Sequence, residues 1–254
     1  MTAPPDPPSP LAKRRRRDLI SERIKEMVVE QGLRPGDRLP AERELMARFA
    51  ASRGSVREAL SALSAQGLVR TRTGPGGGVF LSAIEPARAM AALGDAFVFD
   101  PPSVAEIYAL RIALEPEMAA ALAGRLDAAA FARLEGAMRL YDAPPETAEE
   151  EFAQRLAELD FHSVLAELCP NRLLGFVCGF LQTMLREMAL CRRIYDAPNP
   201  ELRDTALHYQ IRLLRALKVG DAEAARGVMA EHMSAAASYM ARMEAETAPG
   251  FLRR

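Results

Sequence analysis

Residues Ser52 to Leu81 read SRGSVREALSALSAQGLVRTRTGPGGGVFL, and the period of their apolar residues changes halfway. Val56, Leu60 and Leu63 stand at i, i+4 and i+7, one stripe of a helix. Gly67 closes that helix. Beyond it LVRTRT alternates, GPGGG is a turn and VFL resumes the strand, which predicts a small hairpin. Upstream, Leu19, Ile20, Ile24, Met27 and Val28 recur at helical spacing until Gly32 and Pro35-Gly36. A second helical segment, AERELMARF, carries Leu45 and Phe49, and a short break at Ala50 to Ser52 follows. Helix, helix, tight turn, helix, hairpin is the order of a winged helix-turn-helix.

The residues after Glu85 change character again. Only helical spacing is found, with breaks near Pro101-Pro102, Gly124 to Asp127, Pro144-Pro145, Pro170-Asn171, Pro198 to Pro200 and Gly220-Asp221. The first of these helices is short, from Pro86 to about Gly94, and Pro116 stands inside another, where it should kink it. The expected fold is mainly α: an N-terminal winged helix-turn-helix with a small β-hairpin wing, then an antiparallel all-helical bundle of six to seven helices. The expected division is a disordered basic arm over 1–17, a DNA-binding domain over 18–84, an effector-binding and dimerisation domain over 85–247 and a tail over 248–254.

Charge separates the same two parts. Residues 1–84 hold 15 Lys/Arg against 9 Asp/Glu, and residues 85–254 hold 18 against 25. A short basic part joined to a longer acidic one points to nucleic acid as a partner of the first. Apolar residues make up 49% of the 254, enough for a sizeable core, and tryptophan is absent. No run of about 18 apolar residues predicts a membrane span, and the N-terminus lacks the apolar core of a signal peptide. Cys169, Cys178 and Cys191 form no CxxC pair, which fits a reduced, cytoplasmic protein with cysteine as core filler.

In the basic part the third helix is the expected reader of the major groove. Arg53 and Arg57 project from one face, away from the Val56 stripe, and an arginine there can hold guanine O6 and N7 together. Arg43 on the preceding helix can reach a phosphate or a base edge. Ser52 and Ser55 offer hydroxyls to phosphates, as Arg70 and Arg72 on the wing offer charge. The cationic run Lys13 to Arg17 is either a minor-groove arm or a solvated tail. GPGGG is no phosphate loop, since it lacks the lysine and a strand follows it.

The stretch LRPGDRLPAERELMARFAASRGSVREALSALSAQGLVRTRTGPGGGVFL resembles the winged-helix domain of GntR-type bacterial transcription regulators. PGDRLP, ERELM and VREAL together make that resemblance specific. It implies operator contacts by Arg43, Arg53 and Arg57, with Gly76 and Gly77 of the wing near the minor groove. Two residues depart from the family pattern. Ala41 stands where a capping serine is usual, which forfeits about 0.5–2 kcal/mol. Gly54 replaces a residue with a hydroxyl or a ring.

The acidic part resembles the FCD ligand domain of the FadR subfamily over about residues 100–240. The carriers are IYALRIALEPEMAAALAG (107–124), ELDFHSVLAELCPNRLL (158–174) and LRALKVGDAEAARGVMAEHM (214–233). Most members supply an Asp and a His four apart, then two His 22 apart, for a divalent metal that binds a small organic acid together with an arginine. Here Glu158 and His162 are i, i+4 on an apolar face, and Asp160 should face away. His232 also lies on an apolar face. Counting back 22 residues reaches Gln210, flanked by Leu213, Leu214 and Leu217, while His208 lies beside Arg212 and Arg215 and should be exposed.

The expected metal ligands are therefore Glu158, His162 and His232, for zinc, nickel or manganese. A metal-free polar cluster is the alternative. Arg111, Asn171 and Gln210 are the expected effector contacts. Arg111 can hold a carboxylate or pair with Glu115, and Asn171 can face the site or cap a helix. The reading is a homodimeric, non-enzymatic, ligand-responsive regulator, a repressor, that binds a near-palindromic operator in double-stranded DNA and is released by a small carboxylate. Its rivals are a metal-independent regulator responding to an acyl ligand, a metalloenzyme fused to a DNA-binding module, and a ligand-blind architectural DNA binder.

Overall fold

The computed structural model describes residues 10–139, 146–188, 191 and 200–247. The chain divides into two compact units, Met1–Ala89 and Met90–Arg254.

The first unit holds α1 (Pro10–Glu30), α2 (Glu42–Phe49), α3 (Arg53–Ala65), β1 (Val69–Arg72) and β2 (Gly78–Leu81). Val56, Leu60 and Leu63 are buried as their spacing predicts, against Ile20, Ile24 and Met27 of α1 and Leu45 of α2. Leu19 does not join them. It is exposed, and Ser21 is buried instead, its hydroxyl donating to the Arg17 carbonyl at 3.1 Å. The hairpin pairs Val69 with Leu81 and Arg72 with Gly78. At its tip a Cβ on Gly77 would stand 2.6 Å from the Arg72 carbonyl oxygen, so only glycine fits there.

Two features differ from the sequence reading. Arg14 to Arg17, expected in a disordered arm, continue α1, because Ala, Arg and Leu all favour the helix they adjoin. Residues 1–9 of that arm lie outside the described residues. The second feature is a third row in the wing. Arg38 forms a bridge with Phe80, and the Leu39 N–H donates to the Val79 carbonyl at 2.8 Å. A short extended piece between Pro35 and Pro40 carries no period by which to recognise it.

The second unit is an antiparallel helical bundle. α4 (Pro86–Gly94) leads into it, followed by α5 (Val104–Leu122), α6 (Ala128–Met138), α7 (Ala148–Leu168), α8 (Arg172–Glu187), α9 (Pro200–Val219) and α10 (Ala222–Thr247). The expected breaks at Pro101-Pro102, Gly124, Pro170 and Gly220 separate these helices. Those at Pro144-Pro145 and Pro198 lie outside the described residues. Gly124 and Gly220 meet: both have positive φ, and a Cβ on Gly124 would stand 3.3 Å from the Gly220 Cα. α5 runs on through Pro116 and packs against α10 and α8, while α7 packs against α6 and α8. One apolar cluster holds Met118, Phe161, Leu165, Leu217 and Met229, and a second holds Ile107, Tyr108, Leu159, Leu185 and Tyr239. α5, α7 and α10 each contribute to both clusters. Their polar residues fall between the two.

Candidate nucleic-acid interface and candidate metal centre

α3 starts at Ser52. Its Oγ accepts the Ser55 N–H at 3.2 Å and lies 2.9 Å from the Ser55 hydroxyl. Both hydroxyls thus serve first to start the helix that carries Arg53 and Arg57. Arg53 lies 3.7 Å from Glu42, and its side chain is 76% exposed. A contact of that kind is worth about 0–1 kcal/mol and yields readily to a phosphate. Arg43 and Arg57 are exposed and have no ion-pair partner among the described residues. Ala41 supplies half of a capping box: Glu44 Oε2 accepts the Ala41 N–H at 2.8 Å, and the missing half is the hydroxyl alanine lacks.

The wing gathers charge on one face. Arg38, Phe80 and Arg70 are cross-strand neighbours, and such partners point to the same side of a sheet. Arg72 joins them, its guanidinium 4.8 Å from the centre of the Phe80 ring. All three arginines are exposed, with no ion-pair partner among the described residues. Arg38 is the member the sequence reading missed, because the third row of the wing was not visible.

The helical unit keeps its chemistry inside. Arg111 and Glu115 from α5, Glu158 and His162 from α7, Gln182 from α8, Gln210 from α9 and His232 from α10 are all buried. Asp160 and His208 are exposed, as their positions predict. Arg111 Nε donates to Glu115 Oε1 at 2.5 Å, and His162 Nδ1 lies 2.5 Å from Glu115 Oε2. Gln182 Nε2 donates to Glu115 Oε1 at 2.7 Å. On the other edge of the imidazole, His162 Nε2 lies 3.1 Å from His232 Nε2. His232 Nε2 is in turn 3.4 Å from Glu158 Oε1.

Burial alone would raise both carboxyls. In Glu115 the Arg111 guanidinium and His162 more than offset it, and in Glu158 the nearby His232 does so, with help from His162 and Arg111, so both stay low. Burial pushes His162 down, towards the neutral form a metal requires. Two carboxylates and one guanidinium leave one negative charge uncompensated. A proton on an imidazole or a metal cation would balance it.

The residues fit such an ion. The ligand atoms of Glu158, His162 and His232 lie within 4.8 Å of one another. Nitrogens held about 2.0–2.1 Å from one ion, at about 90–110°, stand about 2.9–3.4 Å apart. The Nε2 separation of 3.1 Å falls inside that span. Without an ion, two facing Nε2 atoms need a proton between them, which binding would release.

Gln210 occupies the buried position its apolar neighbours predict. It lines a tight crevice beside Tyr209, Met229 and His232 with no room for a water molecule. Its Oε1 and Nε2 both lack a hydrogen-bond partner, as does Arg111 Nη1. Leaving such groups unpaired costs about 1–3 kcal/mol each, so a polar partner for these atoms would be stabilising. Asn171 takes the other of its two expected roles. It is exposed and caps α8, its Oδ1 accepting the Leu174 N–H at 3.1 Å, and the structure does not bring it to the buried group. The three cysteines are buried and free.

Comparison with known proteins agrees with both halves. Residues 17–79 match the bacterial regulatory proteins of the gntR family, and residues 106–235 match the FCD domain. The chain belongs to the GntR family of bacterial regulators, in the FadR-like group that carries an FCD domain. It is 26% identical over 226 residues to the HTH-type transcriptional repressor NanR of Enterobacter sp. (strain 638), covering 89% of this chain and 85% of that protein. The Escherichia coli (strain K12) protein of the same name is 27% identical over 237 residues, covering 89% and 84%. Among solved structures, Streptococcus agalactiae GntR superposes with a TM-score of 0.64 at 21% identity over 88% of this chain and 99% of that one, a likeness of fold. The protein is a ligand-responsive, DNA-binding transcription regulator and not an enzyme. FCD domains are often metal-associated, which agrees with the Glu158, His162 and His232 group. No helix among the described residues is long and apolar enough to cross a membrane.

Proposed function

We propose that this protein is a homodimeric, cytoplasmic repressor. It binds a near-palindromic operator through Arg43, Arg53 and Arg57 and leaves it when a small carboxylate enters the helical unit. Glu158, His162 and His232 hold a divalent cation, of the class of zinc, nickel or manganese. Arg111 anchors the carboxylate, and Gln210 meets a second polar group of the same ligand. The observation that carries this reading is the convergence of two imidazole Nε2 atoms at 3.1 Å with a carboxylate beside them. The NanR relatives, named as repressors, support the sign of regulation. Metal supplies a Lewis-acidic centre for a ligand oxygen. The protein's own part is to orient the imidazoles, exclude water and present the guanidinium.

The ligand acts only through its differential affinity for the operator-bound and released states. Metal content of untagged protein, measured by elemental mass spectrometry with Glu158→Ala and His162→Ala beside it, tests the centre. About one ion per chain is expected, lost in both variants. Fluorescence anisotropy of labelled operator against a panel of small carboxylates tests the response. Metal-free protein that takes up none on titration would leave the acyl-ligand regulator as the better reading, because the amide of Gln210 is a weaker donor than the family's histidine.

A further inference from the structure

Glu115 touches more of the buried group than any of its neighbours, and the metal reading assigns it no role. Its Oε2 faces His162 Nδ1 at 2.5 Å, and its Oε1 accepts from Arg111 Nε at 2.5 Å and Gln182 Nε2 at 2.7 Å. We propose that Glu115 is the positioning residue of the metal centre, fixing the tautomer and the ring orientation of His162. The inference rests on the metal reading above and adds a residue to it.

Proton placement follows from the partners of the carboxylate. An ionised carboxylate only accepts, so the atom facing it must be the protonated one. His162 therefore carries its hydrogen on Nδ1, and its Nε2 presents a lone pair. That lone pair faces His232 Nε2 at 3.1 Å, in the space a cation would fill. Were the proton on Nε2 instead, two lone pairs would oppose each other across 2.5 Å at Glu115, and the ligand atom would be blocked. The carboxylate also makes the ring a better donor, as partners of ligating histidines commonly do. Arg111 and Gln182 hold Glu115 from its other oxygen, so the ring inherits its orientation from α5 and α8. Nothing in the spacing of the family ligands points to Glu115, because it lies on another helix, 47 residues before His162.

The test uses full-length apo protein labelled with ¹⁵N, as wild type, Glu115→Gln and Glu115→Asp. Long-range ¹⁵N–¹H correlation spectra report which nitrogen of His162 carries hydrogen, and chelator competition reports affinity for zinc ion alone. Wild type should show the Nδ1–H tautomer. Glu115→Gln should lose about 10–100-fold in zinc affinity and show mixed tautomers, and Glu115→Asp should restore a single tautomer and most of the affinity. An Nε2–H tautomer in the apo wild type would overturn the proposal, even if Glu115→Gln fails to fold. So would a folded Glu115→Gln protein that binds zinc within about twofold of wild type. Wild type that shows the Nδ1–H tautomer yet binds no zinc would overturn the metal reading itself, a different failure visible in the same samples.

Discussion

The two units handle arginine in opposite ways. In the DNA-binding unit Arg38, Arg43, Arg57, Arg70 and Arg72 stand in solvent without ion-pair partners among the described residues. In the helical unit Arg111 is fully buried against Glu115, with its guanidinium 4.9 Å from the Tyr108 ring centre. The first arrangement stores free charge for a partner that is itself highly charged. The second compensates the charge internally and leaves only Nη1 of the guanidinium without a hydrogen-bond partner. Removing an exposed arginine should therefore cost binding and spare stability, and disturbing the buried pair should cost stability as well as binding.

The largest expected effect tests the exposed side. Arg53→Ala combined with Arg57→Ala should remove specific operator binding, since each base contact is worth about 1–3 kcal/mol. The unfolding free energy from urea denaturation should stay within about 0.5 kcal/mol of wild type. Retained specificity in an anisotropy assay would show that these side chains do not read the groove. Glu115→Ala tests the buried side. It leaves Arg111 uncompensated in the core, which costs about 3–5 kcal/mol by urea denaturation. A loss as small as that of a surface change would mean that water reaches the pair.

Acid should also separate the two units. Glu115, Glu158 and His162 are all held below their ordinary values. For each, the unfolded chain binds a proton at a pH where the folded one does not, so stability is lost on acidification. The His162 contribution is complete above about pH 6.5 and falls as pH drops towards the lower folded value, and the carboxylates add to the loss below about pH 4.5. Apo protein followed by calorimetry should thus show a helical-unit transition that declines from pH 7 to pH 5. A transition flat over that interval would place His162 in water.

A smaller effect concerns Arg38. Arg38→Ala should weaken operator and random-sequence DNA alike and reduce the slope of log affinity against log salt by about 1. A sequence-dependent loss would place the side chain on a base edge instead.

The exposed site was legible from the chain because its information is local. The Val56 stripe, the period change after Gly67 and the spacing of Arg53 and Arg57 all fall within 30 residues. The trio of Glu158, His162 and His232 was legible too, since each sits on an apolar helix face whose period is countable. Glu115 was seen only as the partner of Arg111. Its bond to His162 depends on how α5 and α7 cross, and no spacing encodes a crossing. Gln182 was missed for the same reason, on α8. Arg38 was missed because residues 36–39 pair with β2 through backbone groups, and a stretch between two prolines leaves no side-chain pattern. Asn171 went to its capping role because one oxygen that ends a helix turn looks the same in sequence as one that meets a ligand.

The smallest expected effect lies in the backbone. Among the described residues Ala50 is the one non-glycine with positive φ, at 48°, where it closes α2 before the turn into α3. The left-handed region costs an ordinary residue about 1–2 kcal/mol, and glycine is the usual occupant of such a cap. Ala50→Gly should therefore stabilise the DNA-binding unit by about 1 kcal/mol, less part of the entropy glycine loses on folding. If the two units unfold separately, the transition of the first alone should rise and the acid-sensitive one should stay. A common shift of both would show that the units unfold as one. The contrast between a solvent-facing and an enclosed arginine would then be a contrast of sites within a single cooperative body.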